Sequence, residues 1–210
     1  MPKISLGRNC EVAFAIRKNG FNLESSFLNW AYIGSDDALF RAILNPSAVF
    51  AGQYTQVNAN MFRCDTLNIS FHAKGRFENW KELSKDDPDL LSAVSELKSR
   101  SRHLALKLQS QLRGPEKVDA FLKPPRKIKG NLNTFCRDLR QIVDNNYPGN
   151  NVRLWVVIEG KGRSVAHVDE LEEVYLASVS EYTHDATSGT FSKDASEDWQ
   201  SLISHSEMCG

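Results

Sequence analysis

The chain has 210 residues, 41% of them hydrophobic and 25% charged, which is ordinary globular composition with enough apolar mass for its own core. Lys and Arg number 26 and Asp and Glu also 26, so no net field draws in nucleic acid or an anionic lipid surface. No run approaches the roughly 20 apolar residues of a membrane span, and Arg8, Asn9 and Glu11 interrupt the N-terminal apolar residues where a secretory signal needs continuity. The expectation is one cytoplasmic domain over residues 1–210, with Cys10, Cys64, Cys136 and Cys209 as thiols. These cysteines form neither a CxxC pair nor a zinc spacing with histidine, so neither metal nor organic cofactor is expected.

Lys3–Leu6 reads as a short strand ending at Gly7. A helix follows from Asn9 or Cys10, with Val12, Ala13, Ala15 and Ile16 as its apolar stripe and Asn19-Gly20 as its left-handed stop. Residues 21–34 read as an aromatic-rich loop. Ser35, Asp36 and Asp37 cap a second helix that buries Leu39, Phe40, Ile43 and Leu44 until Asn45-Pro46. Residues 47–65 have no period that assigns them. Thr66–His72 alternates Leu67, Ile69 and Phe71 with polar neighbours, the pattern of a half-buried strand, and residues 73–85 read as a surface loop.

Asp87-Pro88-Asp89 opens the longest helix, running to Leu112 through Leu90, Leu91, Val94, Leu97, Leu104 and Leu108. Its polar middle, Lys98–His103, is expected to fray. Gly114-Pro115 breaks it, Lys117–Leu122 reads as a strand, and Pro124–Lys129 as a basic turn. A helix over Asn131–Asn145 ends at the turn Tyr147–Asn151, and Arg153–Ile158 is the near-continuous apolar run of a strand covered on both faces. A Gly-rich segment (159–164), a helical turn at Asp169–Glu172, a strand at Glu173–Val179 and a helix at Ser196–His205 complete the chain. This alternation predicts an α/β three-layer sandwich, a mostly parallel sheet with helices on both faces.

Such sheets bind ligands at the carboxyl ends of their strands. There Gly7 permits a tight turn, and Asn9 and Cys10 fall at a helix start, where free N–H groups and the helix dipole favour a thiolate. Backbone N–H groups across Gly7, Arg8, Asn9 and Glu11 are suited to hold an oxyanion. The competing reading makes Cys10 a small buried apolar residue. A nucleophilic thiol needs a base. Of five histidines His72 is best placed, at the end of an alternating strand, with His184 beside Asp185 as the rival. His103 reads as solvated, His205 as terminal, and His167 carries no signal. The Asn29 amide can orient an imidazole, with Trp30 beside it; the bland alternative is a polar loop residue next to an aromatic that caps the core. EGKGRS (159–164) follows a strand but lacks Walker and dinucleotide spacing, and PPRKIK (124–129) reads as a solvated turn before an anion site.

The run ISLGRNCEVAFAIRKNGF (4–21), followed by SSFLNW (25–30), resembles a bacterial family of unknown function described as papain-like cysteine peptidases. Its members open with SLGxNC and a helix, then show a Pro-Phe-Asp-Trp-like element and a strand ending in Phe-His, which ISFH (69–72) resembles. SRSRHLALKLQSQLRGPEKVDAFLK (99–123) and LNTFCRDLRQIVDNNYPGNNVRLWVVIEG (132–160) look like the family's later helix–strand pairs. The resemblance implies Cys10 as nucleophile and His72 as base. Asn29 stands where the family has Asp, and Leu28 where it has Phe. It also brings a papain-like α+β fold as the alternative architecture. The GxNC arrangement is similar to the nucleophile elbow of SGNH-type hydrolases and capsule-polysaccharide acyltransferases, which implies acyl chemistry on a glycan as the second activity. The expected partner is a small-molecule, peptide or glycan substrate, with no membrane. A binding protein using the same pocket without catalysis is the reading from another class.

Overall fold

The computed structural model describes residues 1–8, 11–72, 84, 86–160, 163–180, 184–185, 190–191 and 193–209. Its first half runs β1 (Lys3–Ser5), α1 (Glu11–Lys18), a 3-10 turn (Phe27–Trp30), β2 (Ala31–Ile33), α2 (Asp36–Leu44), α3 (Ala48–Ala51), β3 (Tyr54–Asn58), β4 (Met61–Cys64) and β5 (Ile69–His72). Its second half runs α4 (Pro88–Arg113), β6 (Val118–Leu122), α5 (Leu132–Asn146), β7 (Val152–Gly160), β8 (Ser164–His167), β9 (Val174–Ser180), β10 (His184–Asp185), β11 (Thr190–Phe191) and α6 (Lys193–Met208).

The fold is α/β. The main sheet has the order β1-β6-β7-β9-β8, with parallel pairs throughout except β8 against β9. Successive residues of a strand point to opposite faces, and here both faces are apolar. Val118, Ala120, Leu122, Leu154 and Val156 pack in one core with residues of α2, α4 and α5, while Phe121, Trp155 and Val157 pack in another with α1 and α6. Each of the Val, Leu and Phe side chains contributes about 1.5–3 kcal/mol by leaving water. This is the predicted three-layer arrangement. A second sheet was not predicted: β2-β5-β4-β3, antiparallel throughout, with Phe62, Cys64, Ile69 and Phe71 turned into the first core.

Several local expectations are corrected. The loop over 21–34 contains the 3-10 turn and β2, whose three residues earn their strand geometry only by pairing with β5. The unassigned segment 47–65 holds α3 and the β3–β4 hairpin, in which β3 is polar and half-buried and β4 is only four residues long, too short to show its alternation. The strand at 66–72 starts only at Ile69, because Asn68 turns with φ 56°. Helix α4 is continuous through its polar middle: Ser101, 2% exposed, joins Leu97, Ala105, Leu108 and Leu112 on one buried stripe, whereas Leu91 is exposed. The expected helical turn at 169–172 is a turn region after β8, and β8 itself, pairing antiparallel with β9, was not expected.

The helix ends follow their local signals. Gly20 (φ 79°) closes α1, with the Phe21 N–H donating to the Ile16 carbonyl at 3.2 Å and the Gly20 N–H to Arg17 at 3.0 Å. Ser35, Asp87 and Asn131 cap α2, α4 and α5 through their side chains. The Asn131 Oδ1 accepts from the Thr134 N–H at 2.9 Å, so Asn131→Ala is expected to cost about 1 kcal/mol in urea unfolding. An unchanged midpoint would show the cap to be redundant. No helix among the described residues is long and apolar enough to cross a membrane.

Candidate functional site

The carboxyl edge of the parallel strands collects Leu6–Arg8 after β1, Lys123 after β6, Glu159 near the end of β7 and Ser180 at the end of β9. Lys123 has only 2% of its side chain exposed, and its ammonium is held by two carboxylates. Nζ donates to the Glu11 carboxylate at the first residue of α1 and, at 2.6 Å, to Glu159 Oε1. Glu11 is buried as well, while Glu159 is partly exposed. A buried lysine is tolerated only when its charge is paired and hydrogen-bonded, and this one is satisfied from both sides.

Burial pushes the Glu11 carboxyl above its ordinary value. Lys123 opposes that rise, Glu159 adds to it, and Arg8 opposes it weakly. The folded state therefore keeps a proton that the unfolded chain releases. Glu11 thus favours folding below the ordinary carboxylate range, and that contribution is lost as pH rises through its folded pKa. Glu11→Gln removes this titration. The stability of the variant minus that of the wild type is therefore expected to increase from pH 4.5 towards neutrality. Urea unfolding across that range measures it, and a flat or falling difference contradicts the assignment.

Of the residues picked out by sequence, Asn9 and Cys10 lie outside the described residues. Gly7 and Arg8 precede them at the carboxyl edge. The Gly7 N–H donates to Ser5 Oγ at 3.3 Å, and the Arg8 carbonyl accepts from the Ile33 N–H at 2.8 Å. Ile33 stands opposite Ile69 in the β2–β5 register. His72 therefore lies three residues beyond that contact, about 10 Å along the strand. It is exposed and lines a shallow pocket of about 30 Å³ with Trp30, Phe71, Leu97 and Arg100. Trp30 also meets α1: its ring takes the Phe14 ring edge-on at 5.1 Å and the Arg17 guanidinium at 5.2 Å.

Asn29 is 1% exposed. Its Nδ2 donates to the Glu24 carbonyl at 3.0 Å, and its Oδ1 has no partner among the described residues. That leaves a buried acceptor suited to an N–H donor. His184 and Asp185 form β10 against Phe191 and Thr190; their side chains lie outside the description. His103 is exposed on α4, and His167 is exposed on β8, its ring edge-on to Tyr175.

The described cysteines divide sharply. Burial raises the Cys64 thiol and pushes Cys136 up to about 11, so neither supplies a thiolate near neutrality. Cys209 is exposed, and its Sγ lies 3.5 Å from His205 Nε2. The basic turn is also occupied. The Lys127 carbonyl accepts from the Asp36 N–H at 3.1 Å, and Lys129 donates to Asp36 through its N–H and to Asp37 through Nζ, so the turn docks on the acidic start of α2. Of the Gly-rich segment, Glu159 and Gly160 belong to β7 and Ser164 to β8. No group of three or more potential ligands among the described residues is arranged to hold a metal ion.

Sequence reasoning names Glu11 but misses Lys123. Its signal is a lysine ending the otherwise apolar run that closes β6, next to a turn that draws attention by its own charges. No family model matches the chain, nor does any curated protein or solved structure.

Proposed function

We propose that the protein is a cysteine-dependent acyl hydrolase or acyltransferase, of the papain-like peptidase kind that SLGRNC resembles, acting in the cytoplasm where a thiol stays reduced. Cys10 Sγ attacks a substrate carbonyl as His72 takes the thiol proton. The bond to the leaving group then breaks, the leaving group departs with that proton, and water or an acceptor hydroxyl or amine releases the acyl group from the thioester. N–H groups at the start of α1 and the Asn9 amide stabilise the oxyanion. Asn29 Oδ1, buried and without a partner among the described residues, is the acceptor proposed for the second ring N–H of His72, a bond that forms only when the exposed imidazole turns inward. The observation that carries the reading is that β1 and α1, the elements flanking Cys10 in sequence, meet at the carboxyl edge of a parallel sheet.

Acyl chemistry on a saccharide is the second reading. It is favoured by the aromatic pair Phe14 and Trp30, whose rings meet at 5.1 Å with Phe14 39% exposed, since flat apolar rings stack on sugar faces. The test offers the protein an activated acyl ester, an acyl thioester, an acylated oligosaccharide and a peptide electrophile, followed by tryptic mass mapping. An adduct on the peptide Asn9–Arg17 is expected from at least one class, and that class names the substrate. A protein unmodified there by all four sinks the proposal.

A further inference from the structure

We propose that Lys123 is a positioning residue, which through Glu11 and Glu159 holds the start of α1 against the ends of β6 and β7. Its catalytic meaning rests on the reading of Cys10 as nucleophile, because Glu11 is the next residue in the chain.

Helix α1 has eight residues, too few to be stable alone, so its orientation comes from tertiary contacts. Val12, Ala13 and Ile16 seat its apolar face in the core shared with α6, and Gly20 closes its far end. At its first turn Glu11 is anchored on Lys123. Lys123 reaches Glu11 across 112 residues of sequence and Glu159 across 36, so one ammonium ties the ends of three elements together. A buried, doubly paired ammonium is a poor source of net stability, because desolvation offsets the attraction, but its hydrogen bonds fix distances. Lys123 is 2% exposed, and its ammonium engages both carboxylates. Among the described residues, the charged groups that act on Glu11 include Lys123, Glu159 and Arg8.

The test uses the full chain with Cys209→Ser, which removes the thiol beside His205. Lys123→Met, Lys123→Arg and Glu159→Gln are compared by two readouts: hydrogen exchange of peptides covering 11–18, and the pH profile of thiol labelling on the peptide Asn9–Arg17. In Lys123→Met, exchange in α1 is expected to rise about tenfold while peptides of α6 stay unchanged, with a shifted labelling profile. Lys123→Arg is expected to recover most of the protection, and Glu159→Gln, which removes one of the two ties, to show a smaller rise. Wild-type exchange in α1 of a folded Lys123→Met overturns the proposal. Should that variant fail to fold, wild-type exchange in Glu159→Gln does so. Failure of the nucleophile reading looks different: the peptide 9–17 then takes no acyl group in any variant, while α1 exchange still responds to Lys123.

Discussion

Asp119→Ala is expected to lower the free energy of unfolding by about 3–5 kcal/mol, enough to leave a protein of ordinary stability marginal. Asp119 on β6 and Arg153 on β7 are both 0% exposed and sit side by side in the parallel register. Arg153 Nε donates to Asp119 Oδ1 at 2.6 Å, and the same oxygen accepts from Trp155 Nε1 at 2.8 Å. A second Arg153 nitrogen donates to the Ser206 carbonyl, tying α6 to the amino end of the sheet. The guanidinium also lies over the Trp155 ring at 5.1 Å. Removing the carboxylate leaves this cation in a dry core with one nitrogen, Nη1, already unpartnered among the described residues. The aspartate's Oδ2 is likewise unpartnered, so the pair is costly even when intact. Replacing both, as Asp119→Leu with Arg153→Met, is accordingly expected to cost well under the single change. Urea unfolding of the two singles and the double measures this. A loss below about 1 kcal/mol for Asp119→Ala, the range of an exposed pair, would show that the charge is not buried in solution.

Cys10→Ala is expected to lower kcat/KM for the acyl donor found in the adduct screen by at least about 10³-fold, with unfolding unchanged. The asymmetry between the two observables is the point: a thiol that served only packing would move stability and leave turnover alone. His72→Ala is expected to cost about 10²–10⁴-fold through loss of the base. Cys209→Ser should leave the rate as it is, which matters because the Cys209 thiol has an imidazole at 3.5 Å and could give a false label. Steady-state kinetics on the four proteins decide. A Cys10→Ala variant with wild-type turnover removes the nucleophile from the mechanism, and a His72→Ala variant with wild-type turnover removes the base.

Much of the architecture is written locally. RLWVVI is apolar without interruption because its strand is covered on both faces, and ISFH alternates because its sheet is covered on one. Ser35, Asp87, Asn131 and Gly20 mark helix ends through hydrogen bonds and φ values that involve only their near neighbours. Such signals survive in a one-dimensional reading. The strand at Ala31–Ile33 does not, since it is extended because β5, up to forty residues on in the register, offers it partners, and the β3–β4 hairpin and the edge strand β8 are missed for want of a clear alternation along their short lengths. Ser101 looks like part of a solvated stretch until the direction of α4 across the core is known.

Charge divides the same way. Periodicity, caps and turns determined that this is an α/β chain whose first strand passes through SLGRNC into a helix. Only tertiary structure decided that Lys123 is buried between Glu11 and Glu159, and Arg153 against Asp119, because a buried charge is tolerable only beside its counter-ion and those partners lie 34 to 112 residues away.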